Sequence, residues 1–267
     1  MENKNLCLVG TVHNDLDGKE RLDTLLDRLS PSIVALEYHE DRECSKALQK
    51  SSQEEHEEFS ALIQKSGLSL NQGQMETLTV CWRKAMDVMG YELRSSRDYV
   101  SRNGNRRLEY IDLSLYKDGQ EKFTQGYAEA LKLAFNQITR EPELVSSILE
   151  RLDRGIDIYL NYLRGEVQQR YQNVELIDIQ MEELSIMMEQ PHNLEMMQEA
   201  VSSQAIRALQ QFCNPAREEA MSNRIRELYT RKNKLVAVVG LGHLHRLKRK
   251  VEDLEPRVMT LAEYNST

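Results

Sequence analysis

The chain lacks the features that narrow a function most quickly. It has no surplus of cations: the formal charge is −8 at pH 7, which excludes nucleic acid as the default partner because phosphate binding needs clustered Lys and Arg. It has no paired cysteines either. Cys7, Cys44, Cys81 and Cys213 are far apart with no CxxC spacing, a pattern of unpaired thiols in a reducing compartment rather than a zinc–thiolate site. No stretch approaches the ~18 consecutive apolar residues of a membrane span, and Met1-Glu2-Asn3-Lys4-Asn5 is not followed by the apolar core of a signal peptide. The expectation is a cytoplasmic protein with no membrane span. There is no low-complexity linker at which to cut, so residues 1–267 read as a single domain.

What the chain does have is a set of short apolar runs at telling places. Leu6-Cys7-Leu8-Val9 reads as a buried strand ended by Gly10. A helix from about Asp17 carries Leu22, Leu25, Leu26 and Leu29 on one face and is stopped by Ser30-Pro31. Ile33-Val34-Ala35-Leu36 is a second strand, so the opening is a strand–helix–strand unit, which implies parallel strands. A third strand is expected over 108–111, a fourth over 235–239 and a fifth over 257–261, with a helix from about His243 to Glu252 between the last two. The spacing in the remaining chain is helical. The fold class is therefore α/β, with a largely parallel central sheet and two helical insertions, at about 40–103 and 117–232, forming a cap. Val174-Glu175-Leu176-Ile177-Asp178-Ile179 fits either a strand or a helix.

Three local patterns have plain readings. Arg246, Lys248, Arg249 and Lys250 are followed by Glu252, Asp253 and Glu255, the solvated face of a helix rather than a phosphate site. Met181, Met187, Met188, Met196 and Met197 have the spacing of apolar helix packing rather than of a copper(I) box. Gly240-Leu241-Gly242-His243-Leu244-His245, with Glu263 downstream, approximates a dinucleotide fingerprint but carries His245 in place of its last glycine. His39, His56, His192 and His245 lack a strand-end context and read as exposed.

The chemistry lies at the strand ends. His13 follows the first strand, Glu37 the second, Asp112 the third and His243 the fourth. In a parallel sheet those carboxyl ends share one edge, and ligands bind there. The two histidines share the phrase Gly-x-x-His, as Gly10-Thr11-Val12-His13 and Gly240-Leu241-Gly242-His243. One site built from both is the working expectation. Two chemistries fit it. In the first, His13, His243 and Glu37 hold a divalent metal ion such as zinc that generates hydroxide. In the second, one histidine is a general base held by a carboxylate while an arginine or the second histidine faces a developing oxyanion. Gly10, Gly240 and Gly242 let the backbone approach a cofactor or ligand, with Asp112 behind them. Glu37 has a bland alternative as a surface partner of Arg42.

Several of these residues fall in an ordered set that resembles the TraB/PrgY group, which belongs with TIKI proteases, erythromycin esterases and ChaN-like haem-binding proteins. Gly10-Thr11-Val12-His13, Val34-Ala35-Leu36-Glu37 and Asp41-Arg42 are similar to its opening motifs. Gly90-Tyr91-Glu92, Tyr110-Ile111-Asp112, Arg217-Glu218-Glu219-Ala220-Met221 and Val238-Val239-Gly240-Leu241-Gly242-His243 continue the order. The chain departs from the pattern at His39 and Ser222, and the membrane segments of many relatives have no counterpart in it. The resemblance implies an α/β fold with inserted helices and a catalytic site of His13, Glu37, Glu92, Arg217 and His243. It implies manganese or cobalt dependence as in the TIKI proteases, or a histidine base as in the esterases. The leading expectation is a metal-assisted hydrolase of a peptide, amide or ester bond acting on a small-molecule or peptide substrate. The alternative is a non-catalytic protein that binds haem or a peptide in the same pocket.

Overall fold

The computed structural model describes residues 5–42, 61, 70–116, 121–122, 125–126, 129, 140–190 and 202–263. Its centre is a five-stranded sheet made of β1 (Leu6–Thr11), β2 (Ile33–Leu36), β3 (Arg107–Tyr110), β4 (Leu235–Gly240) and β5 (Arg257–Thr260). The strand order is β3-β2-β4-β1-β5, and every pairing is parallel. The α/β expectation therefore holds. The sequence-adjacent β1 and β2 are separated by β4, which enters from the far end of the chain and pairs with both.

Burial explains which strands sit where. All residues of β1, β2 and β4 are buried, as continuous apolar runs must be when helices cover both faces of a parallel sheet. β3 carries Arg107 and Glu109 on an exposed to half-buried edge, where charge protects unpaired backbone from edge-to-edge pairing.

Among the described residues the helices are α1 (Gly18–Leu29), α2 (Gln72–Val88), α3 (Tyr91–Arg102), α4 (Pro142–Asp153), α5 (Ile156–Gln172), α6 (Val174–Glu189), α7 (Ser203–Phe212), α8 (Ala216–Leu228) and α9 (Leu241–Lys250). α1 buries Leu22, Leu25, Leu26 and Leu29 and ends at Ser30 in a left-handed conformation with φ 47°, so the stop falls where Ser30-Pro31 put it. The ambiguous segment 174–179 is the start of helix α6. Asn173 serves as the end of α5 and the beginning of α6, so these residues continue a helical run. α9 packs on β1, and Gly10 permits the approach: a β-carbon there would lie 2.7 Å from Leu244 Cδ2.

The basic run on α9 is mostly a solvated face, with Lys248, Arg249 and Lys250 exposed, and it also pairs with its neighbours: Arg246 with Glu218, Arg249 with Asp178 and Lys250 with Glu219. One surface expectation is corrected. His39 and His245 are half-buried, not exposed. His56, His192, Cys44, Met196 and Met197 lie outside the described residues. Met188 is buried and Met181 lies against Gly242, as apolar packing requires. Among the described residues no helix is long and apolar enough to cross a membrane.

Candidate functional site

The carboxyl edge of the sheet gathers the expected residues, but it divides them into two groups. The first surrounds His13. Its Nδ1 lies 2.7 Å from Glu92 Oε1, and the Thr11 hydroxyl donates to the same oxygen at 3.1 Å. Glu92 can point inward because α3 begins there. Gly90, with φ 71°, makes the left-handed turn that glycine favours, and the next two residues, Tyr91 and Glu92, are buried. The His13 side chain is 53% exposed while that of Glu92 is 8% exposed. A buried carboxylate thus holds a histidine whose ring reaches solvent. With Glu92 as acceptor, the neutral ring carries its proton on Nδ1 and presents Nε2 as the basic nitrogen.

The second group lies beneath. Glu37, just past β2, accepts from Arg217 Nη2 at 2.7 Å with Oε1 and from the Gly240 backbone N–H at 2.6 Å with Oε2. Arg217 also donates from Nε and Nη2 to the two oxygens of Asp112, at 2.9 and 2.7 Å, a bidentate clamp. Glu37 pairs with Arg217 in this way rather than serving as a surface residue. His243 sits between two carboxylates, with Nδ1 2.6 Å from Glu218 Oε1 and Nε2 3.4 Å from Glu37 Oε1. Arg246 reaches the same Glu218 oxygen at 2.8 Å. Asp112, Arg217, Glu37, His243, Glu218 and Arg246 therefore form a buried chain of alternating charge.

Electrostatics follows from that alternation. Burial works to lower the His243 pKa, but the Glu37 charge and then the contacts to Glu218 and Glu37 raise it to about 9. Burial works to raise Glu37, and the charge of His243, followed by Arg217 and His13, holds it well below the usual carboxylate range. Glu218 is likewise kept low by His243 against its own desolvation. Arg217 is held above its ordinary value by Glu37 and Asp112 despite burial. His243 is thus a buried imidazolium near neutral pH, with both ring nitrogens directed at carboxylates.

A cleft of about 390 Å³ opens over this edge. His13, Thr11, Glu37, Glu92, Arg217 and Gly240 border it on the polar side, with Leu36, Leu93, Leu115 and Val238 on the apolar side. His243 is not among its lining residues. A β-carbon on Gly240 would stand 3.1 Å from Glu37 Oε2 and 3.2 Å from His13 Nε2, so this glycine is where the two groups meet. Gly10 and Gly242 instead allow helix packing, against Leu244 and Met181. A larger cavity of about 520 Å³, between the α5–α6 junction and β5, holds none of the expected site residues.

Metal ligation by His13, Glu37 and His243 does not fit this donor arrangement. Both Glu37 oxygens are engaged by Arg217 and Gly240, and His243 meets carboxylates with both nitrogens. Among the described residues, no three His, Cys, Asp or Glu side chains are placed to hold a metal ion. The dinucleotide pattern is also otherwise occupied: the Gly240 N–H meets Glu37, and Glu263 accepts from the backbone N–H of Thr260 at 2.8 Å.

Sequence reasoning missed Glu218, the partner of His243, and Thr11, which shares Glu92 with His13. It also missed Tyr91, Tyr171 and Asp15, which hold the turn carrying His13. Glu218 follows Arg217 directly, and two successive acids at the start of a helix gave no sign of which one turns inward. In comparison with known proteins, a family model described as the TraB/PrgY/gumN family matches residues 2–258. No curated protein and no solved structure matches significantly.

Proposed function

The chain belongs to the TraB/PrgY/gumN family, and from that premise we propose that it is a hydrolase of a peptide, amide or ester bond in which His13 is the general base. The observation that carries this reading is the His13–Glu92 contact of 2.7 Å at the mouth of the cleft. A buried carboxylate on one imidazole nitrogen fixes the tautomer and stabilises the ring as it gains a proton. In the step this supports, His13 Nε2 takes a proton from water as the water oxygen attacks the substrate carbonyl. The same proton then passes to the leaving amine or alcohol. Arg217 is the arginine among the described lining residues, and Glu37 and Asp112 orient it as the positive charge facing a developing oxyanion. His243 and Glu218 act through Glu37 by keeping that array charged and still.

The test is a panel of peptide, amide and aryl-ester substrates offered to the purified protein, with metal content measured by elemental mass spectrometry and turnover repeated after chelation. The expected outcome is turnover that survives chelation and falls by about 10²–10⁴-fold in His13→Ala and Glu92→Gln. Turnover unchanged by both substitutions refutes the assignment, and turnover abolished by chelation and restored by manganese or cobalt replaces the metal-free step. Saturable haem or peptide binding with no turnover on any substrate favours the binding-protein alternative.

A further inference from the structure

We propose that Tyr171 is a positioning residue for His13: together with Asp15 it fixes the turn after β1 so that the imidazole meets Glu92. The turn leaves β1 at Thr11 and enters α1 at Gly18. Inside it, the Val12 N–H donates to the Tyr171 hydroxyl oxygen at 3.2 Å, and that hydroxyl donates to Asp15 Oδ2 at 3.1 Å. Asp15 is tied in turn: Oδ1 accepts from the Asp17 N–H at 3.0 Å and Oδ2 from Arg21 Nη1 at 3.1 Å. The other backbone group of Val12, its carbonyl, accepts from the Tyr91 hydroxyl at 3.4 Å and from the Asp15 N–H at 2.9 Å. Val12 and Asp15 are buried, as are both tyrosines.

Two consecutive pairs are therefore matched across the fold. Tyr91 and Glu92 of α3 hold the backbone of Val12 and the side chain of His13, while Tyr171 of α5 closes the opposite side of Val12. Each of the two helical insertions contributes one phenol to the residue that precedes the base. A phenylalanine at 171 keeps the ring but leaves a buried N–H and a buried carboxylate each short of a partner, which costs free energy and frees the turn to shift. A displacement of about 1 Å in a catalytic group is enough to cost roughly a hundredfold in rate. Burial pushes the Tyr171 hydroxyl pKa up, so it remains a neutral donor throughout the useful pH range.

The inference rests on reading His13–Glu92 as the base pair, so its test reads that pair directly. In protein labelled with ¹⁵N-histidine, ring nitrogen shifts at alkaline pH should show His13 in the Nδ1–H tautomer. Tyr171→Phe should move the population toward Nε2–H, and Asp15→Asn should move it the same way by less. Tyr99→Phe is the matched control. Tyr99 is equally buried, but its hydroxyl donates to the Pro31 carbonyl at 2.9 Å, at the other edge of the sheet, and the His13 signal should stay put. Where turnover is found, Tyr171→Phe should lower kcat about tenfold to a hundredfold with KM changed less than about twofold. A Tyr171→Phe protein that keeps the wild-type tautomer, or a Tyr99→Phe protein that loses it equally, overturns the proposal. Absence of turnover in wild type with the tautomer shift intact refutes the hydrolase reading alone.

Discussion

Raising the pH should remove the charge from His243 and with it a measurable share of stability. The imidazole lies between Glu37 and Glu218, and its pKa rises from 6.5 to about 9. A folded-state pKa above the unfolded value means that the stabilisation is fully present below pH 6.5 and is lost as the pH climbs through about 9. A tenfold change in an equilibrium constant is about 1.4 kcal/mol, so a shift of this size corresponds to about 3 kcal/mol. The depressed Glu37 carboxyl is the other side of the same contact, and its own contribution disappears only at acid pH, below the ordinary carboxylate range. The assay is chemical denaturation at intervals from pH 6 to pH 10, for wild type and His243→Gln. Wild type should lose about 3 kcal/mol over this interval beyond whatever the variant loses. Taking the difference removes groups common to both proteins, including Cys7, whose thiol is pushed up to about 11 by burial. Parallel pH curves for the two proteins would refute the reasoning.

Two further outcomes follow from the same geometry. Arg217→Met strands Glu37 and Asp112, both buried, and should cost about 3–5 kcal/mol at neutral pH, as breaking one side of a buried pair does; adding Glu37→Gln should recover part of that loss, and strictly additive denaturation midpoints would count against the pairing. Gly240→Ala puts a methyl 3.1 Å from Glu37 Oε2 and 3.2 Å from His13 Nε2. Its backbone, with φ −59°, accepts alanine without strain, so the expected cost in stability is only about 1–3 kcal/mol, while the turnover found for wild type should fall far more steeply than stability.

The parts of the fold that could be read from sequence are those set by local periodicity. Short apolar runs ended by glycine or an ionisable residue are strands in the structure, and in a parallel sheet they share one edge, so His13, Glu37, Asp112 and His243 could be gathered there without knowledge of strand order. The insertion of β4 between β1 and β2 could not, because nothing in a strand's composition names its neighbour. Glu218 escaped notice for a geometric reason. Glu218 and Glu219 are about 100° apart on α8, and only the tertiary context turns the first toward His243 and leaves the second paired with Lys250. The same ambiguity hid Arg246, three residues beyond His243 on α9, within a run that looked like a solvated face. Tyr171 has the periodicity of any core aromatic, and its hydroxyl gives no sequence signal that it ends on the turn after β1.

The repeated phrase Gly-x-x-His points to one site built from both histidines, and the surroundings of each show that the two are not equivalent. His13 leaves the sheet on a turn, and its side chain remains 53% exposed. His243 lies within the first turn of α9, which begins at Leu241, and that helix carries its ring inward until the side chain is only 8% exposed. Glu92 contacts His13 through Nδ1 while the rest of the ring stays open to the cleft. Two carboxylates contact His243, one at each nitrogen, which favours an imidazolium that keeps its proton. A spacing motif specifies where a side chain leaves a strand. The element that follows the glycine, a turn in one case and a helix in the other, decides whether that side chain stays open to the cleft or is enclosed by charge.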